Sequence, residues 1–266
     1  TRKYLSSEII YATLPKMRWL TLTEFLALAH RDPEWLVEGL IPCQTSVLLG
    51  GLPESGKTIL CYQLALAVAQ GTAFLGRSTK QGAVLLVEVN APEPSTRLQL
   101  VTARSAGIAL HGPVYVAEPD ELVAAFPYSI LLKKTQDWLS EAVTTLRDTV
   151  TKELITPVLV IVDALRDIAT GDENSSKDMY PVMTTLLHLF PAQAVVVVHH
   201  ANKLQFNPAK PPPKINPILA ISGNTAITAR PDTVWLLHEG RLYTAGRFGP
   251  GLEIPLTRGL AGWWGL

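Results

Sequence analysis

The sequence predicts an α/β fold built on a mostly parallel, twisted sheet with helices on both faces. Short apolar runs alternate along the chain with longer stretches whose apolar residues recur at helical spacing. The runs are rich in Val, Ile and Leu, which is typical of parallel strands that helices cover on both sides. Two late runs separated by a short turn predict an antiparallel hairpin at one edge of the sheet.

The composition sets broad limits on the class of protein. With 266 residues, 47% of them hydrophobic, the chain is long enough for one large domain with a deep core. Its 23 basic and 23 acidic residues balance, so any nucleic-acid site must be local. Cys43 and Cys61 have no metal-ligand spacing and favour a reducing compartment. No apolar run approaches the ~20 residues that cross a bilayer, so we expect a cytoplasmic protein.

The chain is expected to divide into an N-terminal arm with a short helix, residues 1–34, and one large domain, residues 35–266. Residues 1–18 mix aromatic and basic side chains without periodicity. Thr21 and Glu24 then fit a capping box, in which a hydroxyl and a carboxylate each bond a free backbone N–H. The helix should end near His30, since Pro33 follows soon after.

The turn at residues 51–58 reads GLPESGKT and fits the phosphate-binding pattern G-x-x-x-x-G-K-[ST]. A buried strand precedes it and a helix follows, so backbone N–H groups at the helix start would converge on phosphate oxygens. Lys57 would reach the β- and γ-phosphates, and the Thr58 hydroxyl would ligate Mg²⁺. The alternative is a glycine-rich turn with a solvated lysine. The predicted nucleotide-binding residues are Gly51, Pro53, Glu54, Ser55, Gly56, Lys57, Thr58 and Ile59.

The middle of the chain supplies the next strands and helices. We predict a buried strand over 83–90, a helix over 96–106, a short strand at 114–116 and a long amphipathic helix within 129–150. A third buried strand, 158–163, ends in Asp163. An acid at the carboxyl end of such a strand is what a second nucleotide motif, Walker B, requires to hold the metal. The alternative is an aspartate that caps the next turn.

The last third continues the alternation and then changes character. A helix over 178–190 leads to a fourth buried strand, 194–198, which is followed by two histidines. Residues 204–217 contain five prolines and predict a mobile loop. Strands follow at 233–237 and 241–244, with a turn over 245–251. Residues 253–256 and the tryptophans Trp263 and Trp264 are expected to complete the edge of the sheet as packing.

This order of motifs resembles the RecA-like P-loop ATPases, and more closely the RepA-type hexameric replicative helicase family with its AAA ATPase domain. The resemblance covers roughly residues 35–260 and implies a RecA-like ATPase domain over 35–266, with ATP and Mg²⁺ as cofactors. The matching segments are WLVEGLIP at 35–42, the glycine loop, Asp163, DENS at 172–175, HHANK at 199–203, SGNTA at 222–226, DTV at 232–234 and RFG at 247–249.

The resemblance also implies roles for individual residues. Lys57 and Thr58 would bind phosphate and Mg²⁺, and Asp163 would complete the metal site. His200 would sense the γ-phosphate, the alternative being a core histidine satisfied by the backbone. Arg247 would be an arginine finger that reaches the nucleotide of a neighbouring subunit, the alternative being a solvated hairpin arginine. A finger of this kind presupposes a homo-oligomeric ring, which in this family is a hexamer.

One departure from the family concerns the catalytic carboxylate. RecA-like hydrolases usually carry a glutamate at the end of the strand after the loop helix, and alignment puts Asn90 there. Asparagine can orient a water but cannot take its proton at neutral pH. Glu88 lies two residues earlier and points to the same face, and Glu93 follows in the loop. Either glutamate could substitute; otherwise the protein binds ATP, hydrolyses it weakly and acts as a switch or assembly module.

The expected partner is single-stranded DNA, in replication or in a mobile element. In such helicases the loops after the third and fourth strands line a central channel, and here these are residues 169–177 and 203–217. The second loop carries Lys203, Lys210 and Lys214 beside Phe206, a mixture that suits a phosphate backbone and stacked bases. The alternative is an ordinary solvated loop.

Overall fold

The computed structural model describes residues 19–29, 33–88, 94–117, 129–148, 151–202, 215–259 and 262–266. The chain divides into two compact units, Thr1–Pro33 and Glu34–Leu266. Among the residues described, no helix combines the length and the apolar character needed to cross a bilayer.

The first unit contains the predicted capped helix. Helix α1 spans Leu22–Ala29. The Thr21 backbone N–H donates to Glu24 Oε2 at 2.8 Å, and the Glu24 N–H donates to Thr21 Oγ1 at 3.2 Å. These reciprocal bonds satisfy two backbone groups that a helix start leaves open, so the predicted capping box is confirmed.

The second unit is built on an eight-stranded sheet with helices on both faces. Its strands are β3 (Ser46–Gly51), β4 (Val84–Glu88), β5 (Val114–Ala117), β6 (Leu159–Asp163), β7 (Ala194–His200), β8 (Thr233–His238), β9 (Arg241–Gly246) and β10 (Glu253–Pro255). Two small pairs lie outside it: β1 (Trp35–Val37) with β2 (Ile41–Pro42), and β11 (Thr257–Arg258) with β12 (Trp264–Gly265). The helices are α2 (Lys57–Gln70), α3 (Pro94–Ser105), α4 (Lys133–Thr144), α5 (Leu165–Ile168), α6 (Ser176–His188), α7 (Pro217–Ala220) and α8 (Thr225–Ala229).

The strand order confirms the predicted fold class. Across the sheet the strands run β10-β9-β8-β3-β7-β6-β4-β5. All pairs from β8 to β5 are parallel, whereas β9 pairs antiparallel with both β8 and β10. The glycine loop therefore follows a central strand, where parallel sheets place their ligands at the carboxyl ends of the strands.

Side-chain alternation along the strands decides which residues can meet at that end. Leu49, Leu86, Ile161 and Val198 pack in the same core as α2, on one face of the sheet. Their strand neighbours pack on the opposite face, with α4 and α6. Because alternation continues to the strand ends, Glu88, Asp163 and His200 all project on the α2 face.

Two expectations need correction, and one small element was not predicted. The long helix expected within 129–150 is the shorter α4, which begins after Leu132 and ends before Thr145. Residues 35–42 form a small antiparallel pair that the sequence pattern does not predict. Residues 253–255 do complete the sheet edge beside β9, but Trp264 instead pairs with Arg258 in a separate hairpin.

Candidate nucleotide-binding site

The glycine loop connects β3 to α2 in the predicted order. Glu54 and Gly56 adopt left-handed backbone conformations, with φ of 61° and 93°. A Cβ atom at Gly51 would lie 2.9 Å from the Leu237 carbonyl oxygen, so only glycine fits there. Gly56 is the N-cap of α2 and makes no side-chain capping bond. The start of α2 is thus a backbone N–H site suited to an anion.

Ser55 gives independent support for a ligand in this loop. Its Oγ atom is buried and has no hydrogen-bond partner in the part of the chain that the structure describes. A buried hydroxyl without a partner costs stability, so such atoms call for an explanation. A phosphate oxygen bound in the loop would supply the missing acceptor.

Lys57 begins α2 and is only 8% exposed. Its ammonium donates to the carbonyl oxygens of Gly51, at 3.0 Å, and Leu52, at 2.8 Å. Burial lowers the pKa of Lys57, whereas the negative charge of Asp163 acts in the opposite direction. The loop itself therefore holds the cation beside the site where phosphates are predicted to bind.

The structure brings together the two predicted metal ligands. Thr58 Oγ1 donates a hydrogen bond to Asp163 Oδ2 at 2.8 Å. A hydroxyl and a carboxylate are hard oxygen ligands of the kind that Mg²⁺ prefers, together with phosphate oxygens and waters. The donor set of Thr58 and Asp163 therefore fits Mg²⁺.

Glu88 lies next to this pair. It is the β4 neighbour of Asp163 in the parallel register, and it is only 6% exposed. Tyr62, one turn after Thr58 on α2, donates from its hydroxyl to Glu88 Oε1 at 2.8 Å. Burial and the charge of Glu88 raise the pKa of Tyr62, which keeps its hydroxyl a donor. Asn90 and Glu93, the other candidates for the catalytic position, lie outside the described residues.

The two histidines at the end of β7 occupy different environments. His200 pairs in register with Gly51 and is half-buried. Burial and then the positive charges of Lys57 and Arg166 lower the pKa of His200, so its imidazole is neutral at pH 7. His199 lies on the opposite face, with Nε2 3.2 Å from the Ser222 carbonyl oxygen, and burial lowers its pKa to about 4. The buried histidine that bonds the backbone is thus His199, although its Nδ1 has no partner in the described part of the chain, whereas His200 borders the loop.

Arg247 is not near the phosphate loop of its own chain. It follows β9, whose last residue, Gly246, pairs with Thr233 at the start of β8. Because β8 runs parallel to β3, Arg247 lies at the amino ends of the parallel strands. Lys57 lies at the other end of the sheet, where the strands have their carboxyl ends. The Arg247 side chain is 64% exposed and lies 3.4 Å from Asp232 Oδ1. Lys203, Lys210 and Lys214 lie outside the described residues.

Sequence reasoning missed a contact between the chain's last hairpin and the loop. The Trp264 indole N–H donates to the Gly56 carbonyl oxygen at 3.2 Å, and Arg258 donates to the Glu54 carbonyl oxygen at 3.4 Å. The sequence gives no signal for these contacts, since about two hundred residues separate the partners and each strand of the hairpin has only two residues.

Many solved structures share this architecture, among them the two that follow. A DnaB-like replicative helicase, whose structure was described with its interactions with primase, superposes with a TM-score of 0.59 at 12% identity. The match covers 84% of this chain and 57% of that one, so the chain spans little more than half the length of the helicase. An isolated ATPase domain of another protein matches with a TM-score of 0.63 at 12% identity, over 91% of this chain and 95% of that domain. These likenesses show a RecA-like fold.

A comparison with curated proteins gives no match. The family model described as "AAA domain" matches residues 14–205, which is more than half of the chain. That span includes the glycine loop, Asp163 and both histidines at the end of β7. The chain is an AAA-type P-loop ATPase domain and belongs to the AAA domain family.

Proposed function

We propose that the protein is an Mg²⁺-dependent ATPase that acts as one subunit of a ring-forming helicase on single-stranded DNA. The observation that carries the proposal is the 2.8 Å contact between Thr58 and Asp163 at the mouth of the glycine loop. It joins the loop that would grip the phosphates to the acid that would hold the metal, although the two residues are 105 positions apart in the sequence.

In this proposal, individual residues of the chain have the following roles. Backbone N–H groups at the start of α2 and the Lys57 ammonium bind and orient the triphosphate. Thr58 and Asp163 would hold Mg²⁺, which would neutralise charge on the phosphates. The His200 imidazole, at the end of the strand beside the loop, would sense whether a γ-phosphate is present; its neutral form at pH 7 supports this role.

The position of Arg247 supports the ring. An arginine at the opposite end of the sheet from Lys57 would not reach its own nucleotide, and its exposed side chain is free to serve a neighbour's site in a ring. DNA binding rests on the sequence alone: the described loop after β6 carries Asp172 and Glu173, and the basic residues Lys203, Lys210 and Lys214 belong to the second loop.

A second candidate is an ATP-binding switch with weak turnover. Glu88 is buried, and its Oε1 already accepts a hydrogen bond from Tyr62. Asn90, at the aligned position, cannot take a proton at neutral pH, so turnover is weak if Glu88 does not reach the attacking water. ATP then holds a conformation or an assembly instead of driving translocation.

The steady-state rate of ATP hydrolysis, measured with and without single-stranded DNA, separates these functions. The helicase proposal predicts turnover that DNA stimulates and that depends on Mg²⁺. Tight ATP binding with negligible turnover under both conditions supports the switch. Failure of the protein to bind Mg²⁺–ATP would contradict both.

Glu88→Gln identifies the residue that activates water. If Glu88 is the base, the variant should lose turnover by about 10²–10⁴-fold while ATP binding is retained. Tyr62→Phe is the matched control, because it removes the hydrogen bond to Glu88 but leaves the carboxylate, and it should lower turnover far less.

Asn90→Glu tests the opposite assignment in the same assay. If the missing carboxylate limits hydrolysis, this variant should raise the rate, whereas Glu88→Gln should have little effect. A rate that neither substitution changes would exclude both positions.

A further inference from the structure

The C-terminal hairpin, formed by β11 and β12, contacts the phosphate loop through two of the loop's carbonyl oxygens. Trp264 donates from its indole to the Gly56 carbonyl oxygen, at 3.2 Å, and Arg258 donates to the Glu54 carbonyl oxygen, at 3.4 Å. The Arg258 guanidinium also lies over the Trp264 ring, 4.9 Å from its centroid. Two loop carbonyls are thus bonded to one small hairpin.

The hairpin is anchored to α2 as well as to the loop. Gln63 Nε2 donates to the Trp264 carbonyl oxygen and the Trp264 N–H donates to Gln63 Oε1, both at 2.8 Å. A Cβ atom at Gly56 would lie 2.3 Å from Arg258 Nη2 and 3.0 Å from the Trp264 ring. The absence of a side chain at Gly56 therefore allows the hairpin to reach the loop.

Holding a carbonyl fixes the direction of the next amide. The Gly56 carbonyl and the Lys57 N–H belong to one planar trans peptide unit, so they point in opposite directions. The Gly56 carbonyl oxygen accepts from Trp264 and also from the Leu60 N–H at 3.0 Å, and both bonds direct the Lys57 N–H out of the helix start. This is the direction in which a helix N-terminus binds phosphate.

We propose that Trp264, supported by Arg258 and Gln63, is a positioning residue that holds the phosphate loop in its anion-binding conformation. The proposal rests on the proposed nucleotide site. Trp264 acts through the Gly56 peptide and not through the base of the nucleotide. Its contribution should therefore be the same for any ligand that presents a triphosphate.

The test compares two neighbouring tryptophans in the same hairpin. Trp263 and Trp264 are both 9% exposed, but the Trp263 indole N–H has no hydrogen-bond partner in the described part of the chain. Trp264→Phe keeps an aromatic ring and removes the N–H that bonds Gly56. Trp263→Phe is the matched control, since it removes an indole N–H that bonds nothing described.

Binding is measured by calorimetry with two probes, Mg²⁺–ATP and inorganic triphosphate with Mg²⁺. Trp264→Phe should weaken both by the same factor, about fivefold to tenfold, as expected for one neutral hydrogen bond. Trp263→Phe should bind both like the wild type. An equal loss for both probes, with an unchanged unfolding temperature of the ligand-free protein, is a result that a merely structural role would not give.

Two results would overturn the inference. Trp264→Phe that binds both probes like the wild type would show that the bond to Gly56 does not matter. A loss for ATP alone would show that Trp264 contacts the base. If the wild type binds neither probe, the proposed function fails first. Should Trp264→Phe not fold, Arg258→Lys provides the second variant, because it keeps the charge, loses the planar fork and lies on the exposed side of the hairpin.

Discussion

Lys57→Ala is expected to abolish the binding of Mg²⁺–ATP. The substitution removes the cation that the loop holds through the Gly51 and Leu52 carbonyl oxygens, beside the predicted phosphates. A lysine that bridges two phosphates makes about two charge-assisted hydrogen bonds, so the affinity should fall by about 10²–10⁴-fold. Isothermal titration of the variant with Mg²⁺–ATP measures this loss.

Lys80→Ala is the control for this experiment. Lys80 also lies in the second unit and pairs with Glu34 at 2.6 Å, but it is exposed and belongs to neither motif. It should bind ATP like the wild type. Because Lys57→Ala leaves the Gly51 and Leu52 carbonyl oxygens without this donor, its folding is checked by circular dichroism before the titration. A folded Lys57→Ala protein that binds ATP like the wild type would show that the loop is not the nucleotide-binding site.

Arg247→Ala should give the second large effect, on hydrolysis and not on binding. A guanidinium placed against the transferred phosphoryl group is worth about 10³–10⁵-fold in rate in related enzymes. The position of Arg247 at the amino edge of the sheet means that this loss must arise in the neighbour's site. The affinity of the variant for ATP, measured by titration, should therefore stay near that of the wild type, whereas its rate of ATP hydrolysis should fall.

Arg241→Ala is the matched control, since Arg241 lies on the same hairpin and pairs with Glu253.

Mixing the Lys57→Ala and Arg247→Ala variants gives a more specific test of a finger that acts between subunits. A ring that contains both Lys57→Ala and Arg247→Ala subunits has some interfaces with an intact lysine on one side and an intact arginine on the other. Such mixtures should regain part of the activity that each variant lacks alone. Full turnover by Arg247→Ala alone would exclude the finger.

The glycine loop and the acid at the end of a buried strand, Asp163, could be predicted because local pattern indicates both. The loop needs glycine at positions where a side chain would collide, as at Gly51, and that requirement is written into the motif. Strand periodicity likewise places the side chains of Asp163 and Glu88 on one face of their strands, but their adjacency follows from the order of strands in the sheet.

Other parts of the site depend on contacts that no local pattern encodes. The bond from Trp264 to Gly56 joins distant parts of the sequence through a strand of two residues, too short to show a period. The helix expected within 129–150 is shorter for a similar reason: Arg147 and Leu154 form an antiparallel bridge that competes with its last turns. Tertiary pairing here overrides helical spacing.

Strand β3 runs from the amino end of the parallel strands to their carboxyl end in one continuous segment. At one end Ser46 bonds Asp232 through both its N–H and its hydroxyl, and Asp232 in turn pairs with Arg247. At the other end Gly51 opens the phosphate loop. In the proposed ring, the loop that holds each subunit's own nucleotide and the arginine that reaches the neighbour's nucleotide are therefore fixed to opposite ends of the same strand. A tilt of one domain would displace both together, so a change at one nucleotide would be transmitted to the next through rigid-body rotation.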